Sequence, residues 1–100
     1  METLFREEGK DYVMEFIGRL DTAAASKIEK DMEVLNDCMG HDVVLACDKL
    51  EYISSSGLRI FLGILKIARA KGSHVYISGL SDELRRVFTI TGFVSLFEYR

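Results

Sequence analysis

The sequence predicts an α/β fold: a single mixed β-sheet of four to five strands with helices packed on it, in the order β-β-α-β-α-β-α. Three observations carry this reading. Val43-Val44-Leu45-Ala46-Cys47 is a short, β-branched apolar run, the pattern of a strand buried on both faces. His74-Val75-Tyr76-Ile77-Ser78 is a second short run of strand type, and between the two Leu58, Phe61, Leu62 and Leu65 recur at helical spacing. Strands joined through a helix lie parallel, and the crossover is right-handed. Val43, Leu45, Val75 and Ile77 are therefore expected to be buried on neighbouring parallel strands. Near the N-terminus, Tyr12, Met14 and Phe16 alternate with Val13, Glu15 and Ile17, so Asp11 to Ile17 reads as a strand too.

Taken in order, Leu4-Phe5-Arg6 is a weak first strand. Glu7-Glu8-Gly9-Lys10 is a turn, with Gly9 able to take positive φ, so the first two strands form an antiparallel hairpin. Gly18 to Asp21 breaks the strand pattern, and Asp21 or Thr22 can cap the next helix. That helix runs from about Ala23 to Cys38, with Ala24, Ile28, Met32, Leu35 and Met39 on one face and Lys27, Glu29, Lys30, Glu33 and Asp37 on a solvated face. Gly40 ends it. His41 to Cys47 is the third strand. Lys71-Gly72 closes the long helix, and the fourth strand follows. Ser81 caps a short helix with Asp82 and Glu83 in its first turn and Leu84, Val87 and Phe88 toward the core. Thr91-Gly92 stops that helix, and Phe93 to Tyr99 packs as a last extended segment. No linker, repeat or low-complexity stretch interrupts the chain, and 100 residues support one domain over 1–100.

Composition narrows the function classes. The net charge of −3, spread without a basic face, argues against nucleic-acid binding. No apolar run is long enough for a transmembrane helix, and Met1 to Glu8 lacks the regions of a signal peptide, so a cytoplasmic protein without membrane insertion is expected. Cys38 and Cys47 read as two reduced core cysteines. With only His41 and His74 to join them, they match no zinc pattern, so neither a metal nor a cofactor is expected.

The most informative stretch is Ile53-Ser54-Ser55-Ser56-Gly57-Leu58. It joins the third strand to the long helix, which puts the serines at a helix N-terminus. Such an end has unpaired N–H groups and a partial positive charge. A phosphate is stabilised there, and one of the serines can equally serve as the N-cap. Serine hydrolase chemistry fits poorly. The Gly-x-Ser-x-Gly elbow is missing, and both histidines fall at strand starts, opposite the end that delivers the serines. The chain is not expected to be an enzyme.

Three segments together resemble the STAS domain, and within it the bacterial anti-sigma factor antagonists. Gly18-Arg19-Leu20-Asp21 is similar to the Gly-x-Leu-Asp before the first helix of that family. Ile53 to Leu58 is similar to its hydrophobic-Asp-Ser-Ser/Thr-Gly-Leu phosphorylation loop. Phe88-Thr89-Ile90-Thr91-Gly92-Phe93 is similar to its Phe-x-x-x-Gly-hydrophobic ending. The resemblance implies a partner-switching module. The unphosphorylated form binds an anti-sigma factor that is itself a serine kinase, and phosphorylation of the loop serine breaks the complex. A phosphatase restores it. Carried over, the phosphoacceptor is Ser55, with Ser54 and Ser56 as alternatives. One departure stands out: Ser54 occupies the place of the family's Asp. The resemblance also puts Asp21 on the loop side of the sheet, where it could bond near the serines or cap its own helix, and Gly57 in the helix N-terminus. An alternative is a STAS subunit that is never phosphorylated and serves a structural or regulatory role in a membrane transport assembly. Mass spectrometry of the protein from its host separates these.

On the long helix, Leu58, Phe61, Leu62, Leu65 and Ala68 form a stripe that must face the sheet. Ile60 and Ile67 are then expected to point outward, beside Gly63, which leaves a flat spot where a partner backbone can approach closely. Arg59, Ile60, Gly63 and Ile67 are accordingly the expected partner surface, continuous with Ser55, on a protein that is monomeric when free.

Overall fold

A computed structural model of the chain describes residues 1–37 and 40–100. The expectations for the Asp37 side chain, Cys38 and Met39 lie outside what it describes. Gly9 takes φ +60° at the first turn, and β1 (Glu2–Glu8) pairs antiparallel with β2 (Asp11–Leu20) as expected. The chain continues through α1 (Thr22–Asp31), β3 (Asp42–Ile53), α2 (Ser55–Ala70), β4 (Val75–Ser78), α3 (Asp82–Ile90) and the two-residue β5 (Glu98–Tyr99). The strand order is β1-β2-β3-β4-β5, and the pairs from β2 onward are all parallel. A helix lies in each connection between parallel neighbours, as the parallel geometry requires.

Inward-facing sheet residues meet the helices in one core. Val43, Leu45, Val75 and Ile77 are all buried in it, and Val43 pairs with Val75 and Leu45 with Ile77. Phe61 of α2 is its centre, with ring centroids 5.0 Å from Phe16, 5.9 Å from Phe88 and 6.3 Å from Phe97. The opposite sheet face carries a smaller cluster of Val13, Val44 and Ala46 with Tyr76 against it. Long polar side chains cross this part of the sheet: Arg100 lies 4.1 Å over the Tyr76 ring and bonds Asp11 at 2.8 Å.

Cys47 sits in the core as a free thiol, and burial pushes its pKa up to about 12, with Asp48 adding a smaller push. It should resist iodoacetamide at pH 8 in the folded protein and react once urea unfolds the chain, read by peptide mass mapping. A raised thiol pKa leaves stability untouched below the unfolded value. Above it the unfolded chain ionises while the folded thiol keeps its proton. Stability should therefore fall, by up to roughly 1.4 kcal/mol per pH unit, as pH rises from about 9 toward 12.

Five expectations need correction. The third strand does not end at Cys47: β3 runs on to Ile53, directly before the serines. The first long helix divides: α1 ends at Asp31, and Met32–Asp37 is a 3-10 segment. Residues three apart eclipse in a 3-10 turn, which keeps Met32 and Leu35 both buried. Gly18 does not end the second strand. With φ +102° it sits at a register shift, and β2 runs on to Leu20. The tail is a 3-10 turn, Phe93–Leu96, before the short β5. Finally, Ile60 does not point outward. It is 5% exposed and belongs to the core together with Ala25 and Ile28 of α1, while Leu62, expected inside, is only half-buried. The stripe deduced from the sheet alone ignored a second neighbour. α2 packs against α1 as well as the sheet, so its buried arc is wider and rotated.

Candidate functional site

Parallel pairing of β2 and β3 brings two helix N-termini together. Leu20 and Ile53 are register partners at the ends of these strands, and the residues that follow, Asp21 and Ser54, are the N-caps of α1 and α2. The caps form for ordinary reasons: short polar side chains in extended backbone, each accepting from an N–H three residues on. Asp21 Oδ1 accepts from Ala24 N at 2.9 Å, and Ser54 Oγ from Gly57 N at 3.1 Å. The Ser54 N–H donates to the Leu20 carbonyl at 2.9 Å and ties the loop to the end of β2. Ser81 caps α3 in the same way, accepting from Leu84 N at 3.2 Å.

The three serines thus have different surroundings. Ser54 is occupied as the cap. Ser55, the first helical residue, is exposed to solvent. Ser56 is half-buried, its Oγ 3.4 Å from the Thr22 hydroxyl across the gap between the helices. Ser54, in the place of the family's acid, does the capping with a neutral oxygen. Neither α1 nor α2 has an acidic residue in its first turn, whereas α3 has Asp82 and Glu83 there. The positive end of α2 is therefore not neutralised from within its own first turn.

Gly57 makes the close approach possible. A Cβ there would lie 2.8 Å from Ile53 Cγ1 and Leu20 Cγ and 2.9 Å from the Leu20 carbonyl oxygen. The α2 N-terminus is pressed against the strand ends, and the serines are held by backbone contact.

Below the serines, Thr22, Ala25, Ser26, Glu29, Ser56, Arg59 and Ile60 line a groove of about 190 Å³ between α1 and α2. Of the four residues expected to form a partner surface, Arg59 is exposed, Ile60 is core, and Gly63 and Ile67 are half-buried. The flat spot at Gly63 is filled from within the chain: the Met32 Cε methyl lies 3.2 Å from where a Cβ would stand. Asp21 is spent on its own helix, and the side-chain contact between the two loops runs through Thr22 instead. From sequence Thr22 was only a possible helix cap, and Ser26 was not singled out. Parallel pairing of the second and third strands would have pointed to them, because it sets the two N-termini side by side.

Both histidines lie at the other end of the sheet. His41 stacks on Tyr12 at 4.1 Å and bonds the Lys10 carbonyl at 3.1 Å, and His74 pairs with Glu98 at 3.1 Å. A cavity of about 470 Å³ is at that end too, lined by Arg69, His74, Ser95 and Glu98 among others. Neither histidine can serve the serines as a general base. Among the described residues no helix is long and apolar enough to cross a membrane, and no cluster of three or more His, Cys, Asp or Glu is placed to hold a metal ion.

A mixed sheet, parallel from β2 onward, with helices packed on it and a capped, serine-bearing helix N-terminus at the carboxyl end of β3, fits the architecture expected of a STAS domain. The chain belongs to that family: the STAS domain model matches residues 4–100. It is 31% identical over 96 residues to the anti-sigma-B factor antagonist of Listeria monocytogenes, covering 95% of this chain and 84% of that one. Its fold is similar to an anti-sigma factor antagonist from Mycobacterium paratuberculosis, with TM-score 0.85 at 18% identity over 98% of this chain and 83% of that one. It is also similar to the Bacillus cell fate determinant SpoIIAA in the phosphorylated form, with TM-score 0.73 at 18% identity over 99% of this chain and 91% of that one.

Proposed function

We propose that the chain is a cytoplasmic anti-sigma factor antagonist whose binding is switched by phosphorylation of Ser55. Unmodified, it binds an anti-sigma factor that is also a serine kinase. That partner transfers the γ-phosphoryl group of ATP to the Ser55 Oγ. The hydroxyl proton leaves to a base, ADP departs, and the modified antagonist is released until a phosphatase removes the group. The observation that carries this reading is the division of labour among the serines. Ser54 performs the capping, so the Ser55 hydroxyl is solvent-exposed and structurally idle at a positive helix end. Adding a charge of about −1.5 to −2 there suits the free protein and burdens an interface that must desolvate it. Ile60 drops out of the partner surface. The surface proposed in its place is the joint N-terminus of α1 and α2: Thr22, Ser26, Ser55, Ser56 and Arg59, with Ile67 and Gly63 at its margin.

The test is binding of the Ser55 variants to the cognate anti-sigma factor. Ser55→Ala should fold with an unchanged melting temperature, bind within about twofold of wild type and stay bound in the presence of ATP. Ser55→Asp should bind at least about tenfold more weakly, a difference near 1.4 kcal/mol. Phosphorylation of Ser55→Ala as fast as wild type would remove Ser55 from its assigned role.

A further inference from the structure

Arginines on this molecule mostly have partners. Arg6 bonds Glu8 at 2.8 Å, Arg100 bonds Asp11 at 2.8 Å, and Arg69 reaches the Leu96 carbonyl at 3.5 Å. Arg19 and Arg85 lie over the rings of Tyr52 and Tyr99, at 4.3 and 4.8 Å. Arg59 is exposed and makes no hydrogen bond, ion pair or ring contact among the described residues. The other such arginine, Arg86, is on α3. Arg59 stands one helical turn after Ser55 and lines the same groove as Ser56.

Helix geometry makes that position matter. Residues four apart are neighbours on a helix surface, and long side chains lean toward the helix N-terminus. A side chain at position 59 shares the helix face of Ser55, one turn on, and is long enough to reach back over the first turn. The acid facing the groove is Glu29 of α1, which forms no ion pair with it. A phosphate on Ser55 would be the first anion on this helix within reach. Arginine is suited to hold it, because its planar fork matches phosphate oxygens bidentately.

We propose that Arg59 is the residue that changes partners in the switch. Before modification it is free to meet an acidic group of the bound anti-sigma factor. After modification it is captured by the phosphate of its own chain. One event then does two things to the interface: it adds a dianion and withdraws a cation. This rests on the reading of Ser55 as phosphoacceptor, but its test needs no kinase. Phosphoserine is incorporated at position 55 during translation, and its phosphorus resonance is titrated in wild type, Arg59→Ala and Lys66→Ala. Lys66 is exposed on α2 about two turns beyond Arg59, and its removal changes net charge equally.

The second phosphate pKa should lie below its ordinary value of about 6 in wild type and in Lys66→Ala. In Arg59→Ala it should rise by about half a unit, the sign of a lost adjacent cation. Unmodified Arg59→Ala should also bind the anti-sigma factor about tenfold more weakly. A titration in Arg59→Ala that overlays wild type, or an equal rise in Lys66→Ala, overturns the capture. Unchanged affinity of unmodified Arg59→Ala overturns the partner half of the proposal. If the phosphoserine protein binds the anti-sigma factor as tightly as the unmodified one, the switch reading itself fails, while the titration still reports whether Arg59 holds the phosphate.

Discussion

Ile60→Glu should unfold the protein. Ile60 is 5% exposed and packed in the core with Ala25 and Ile28 of α1, so the substitution removes a buried side chain and puts a carboxylate in its place. Loss of the isoleucine alone costs about 2–4 kcal/mol. An unpaired carboxylate in an apolar site adds several more, unless it takes up a proton at a comparable cost. The sum is comparable with the lower part of the roughly 5–15 kcal/mol that holds a small domain together. Circular dichroism and urea titration should show a chain that is unfolded or close to it at 25 °C. Ile60→Ala should fold, with the midpoint lowered by the cavity cost only. A folded Ile60→Glu with a wild-type midpoint would mean that the outward position expected from the helical pattern is the real one.

Gly57→Ala should destabilise by about 1–2 kcal/mol, against the usual sign of this exchange, because overpacking of about 1–3 kcal/mol is set against a helix-propensity gain of about 1. In an ordinary helix interior, alanine in place of glycine gains close to 1 kcal/mol. Here the added methyl meets the Leu20 carbonyl oxygen at 2.9 Å and two side-chain carbons at 2.8 Å. Backbone cannot yield as a side-chain end can, so overpacking outweighs propensity. Either α2 is levered off the strand ends or β2 shifts. Both displace Ser54, Ser55 and Ser56, so hydrogen exchange should quicken in the first turn of α2 and partner binding should fall. Gly63→Ala on the same helix is the contrast. The neighbour there is the Met32 terminal methyl at 3.2 Å, which can rotate aside, so the propensity gain should survive. If both substitutions stabilise, the contact at Gly57 is not tight.

The expectations that held were those set by near neighbours in the chain. The β-branched run at Val43 to Cys47 and the alternation from Tyr12 to Ile17 mark strands whichever fold they join. Asp21, one of the three serines and Ser81 are cap residues by side-chain chemistry, and each of the three helices begins at one. The glycines at the turns follow from φ: Gly9 at +60° and Gly92 at +80° are where a helix or strand had to stop. The helical crossover, with the rule that it joins parallel strands, was enough to pair β3 with β4.

The failures concern residues whose role depends on what lies across from them. A pattern of period 3.6 says that α2 has an apolar face, but the width and direction of that face depend on how many elements pack against it. With α1 as well as the sheet as neighbours, Ile60 and Ile64 go inside and Leu62 moves to the margin. Gly63 offered a flat spot, and Met32 of the same chain took it. The end of the first long helix had the same cause, since a choice between 3.6 and 3.0 residues per turn is settled by what Met32 and Leu35 must reach. By itself the sequence determined that β1 to β4 exist and in what order, where the helices start, the serine-bearing junction and the resemblance to the STAS family, because these show in short stretches of chain, whereas the ends of β3 and the placing of β5 did not. The tertiary structure alone decided which serine caps and which is exposed, that Thr22 rather than Asp21 meets the serines, and that Arg59 is left without a partner among the described residues. Those follow from the parallel pairing of β2 with β3 and the packing of α1 on α2, contacts between residues about thirty positions apart in the chain that no local pattern encodes.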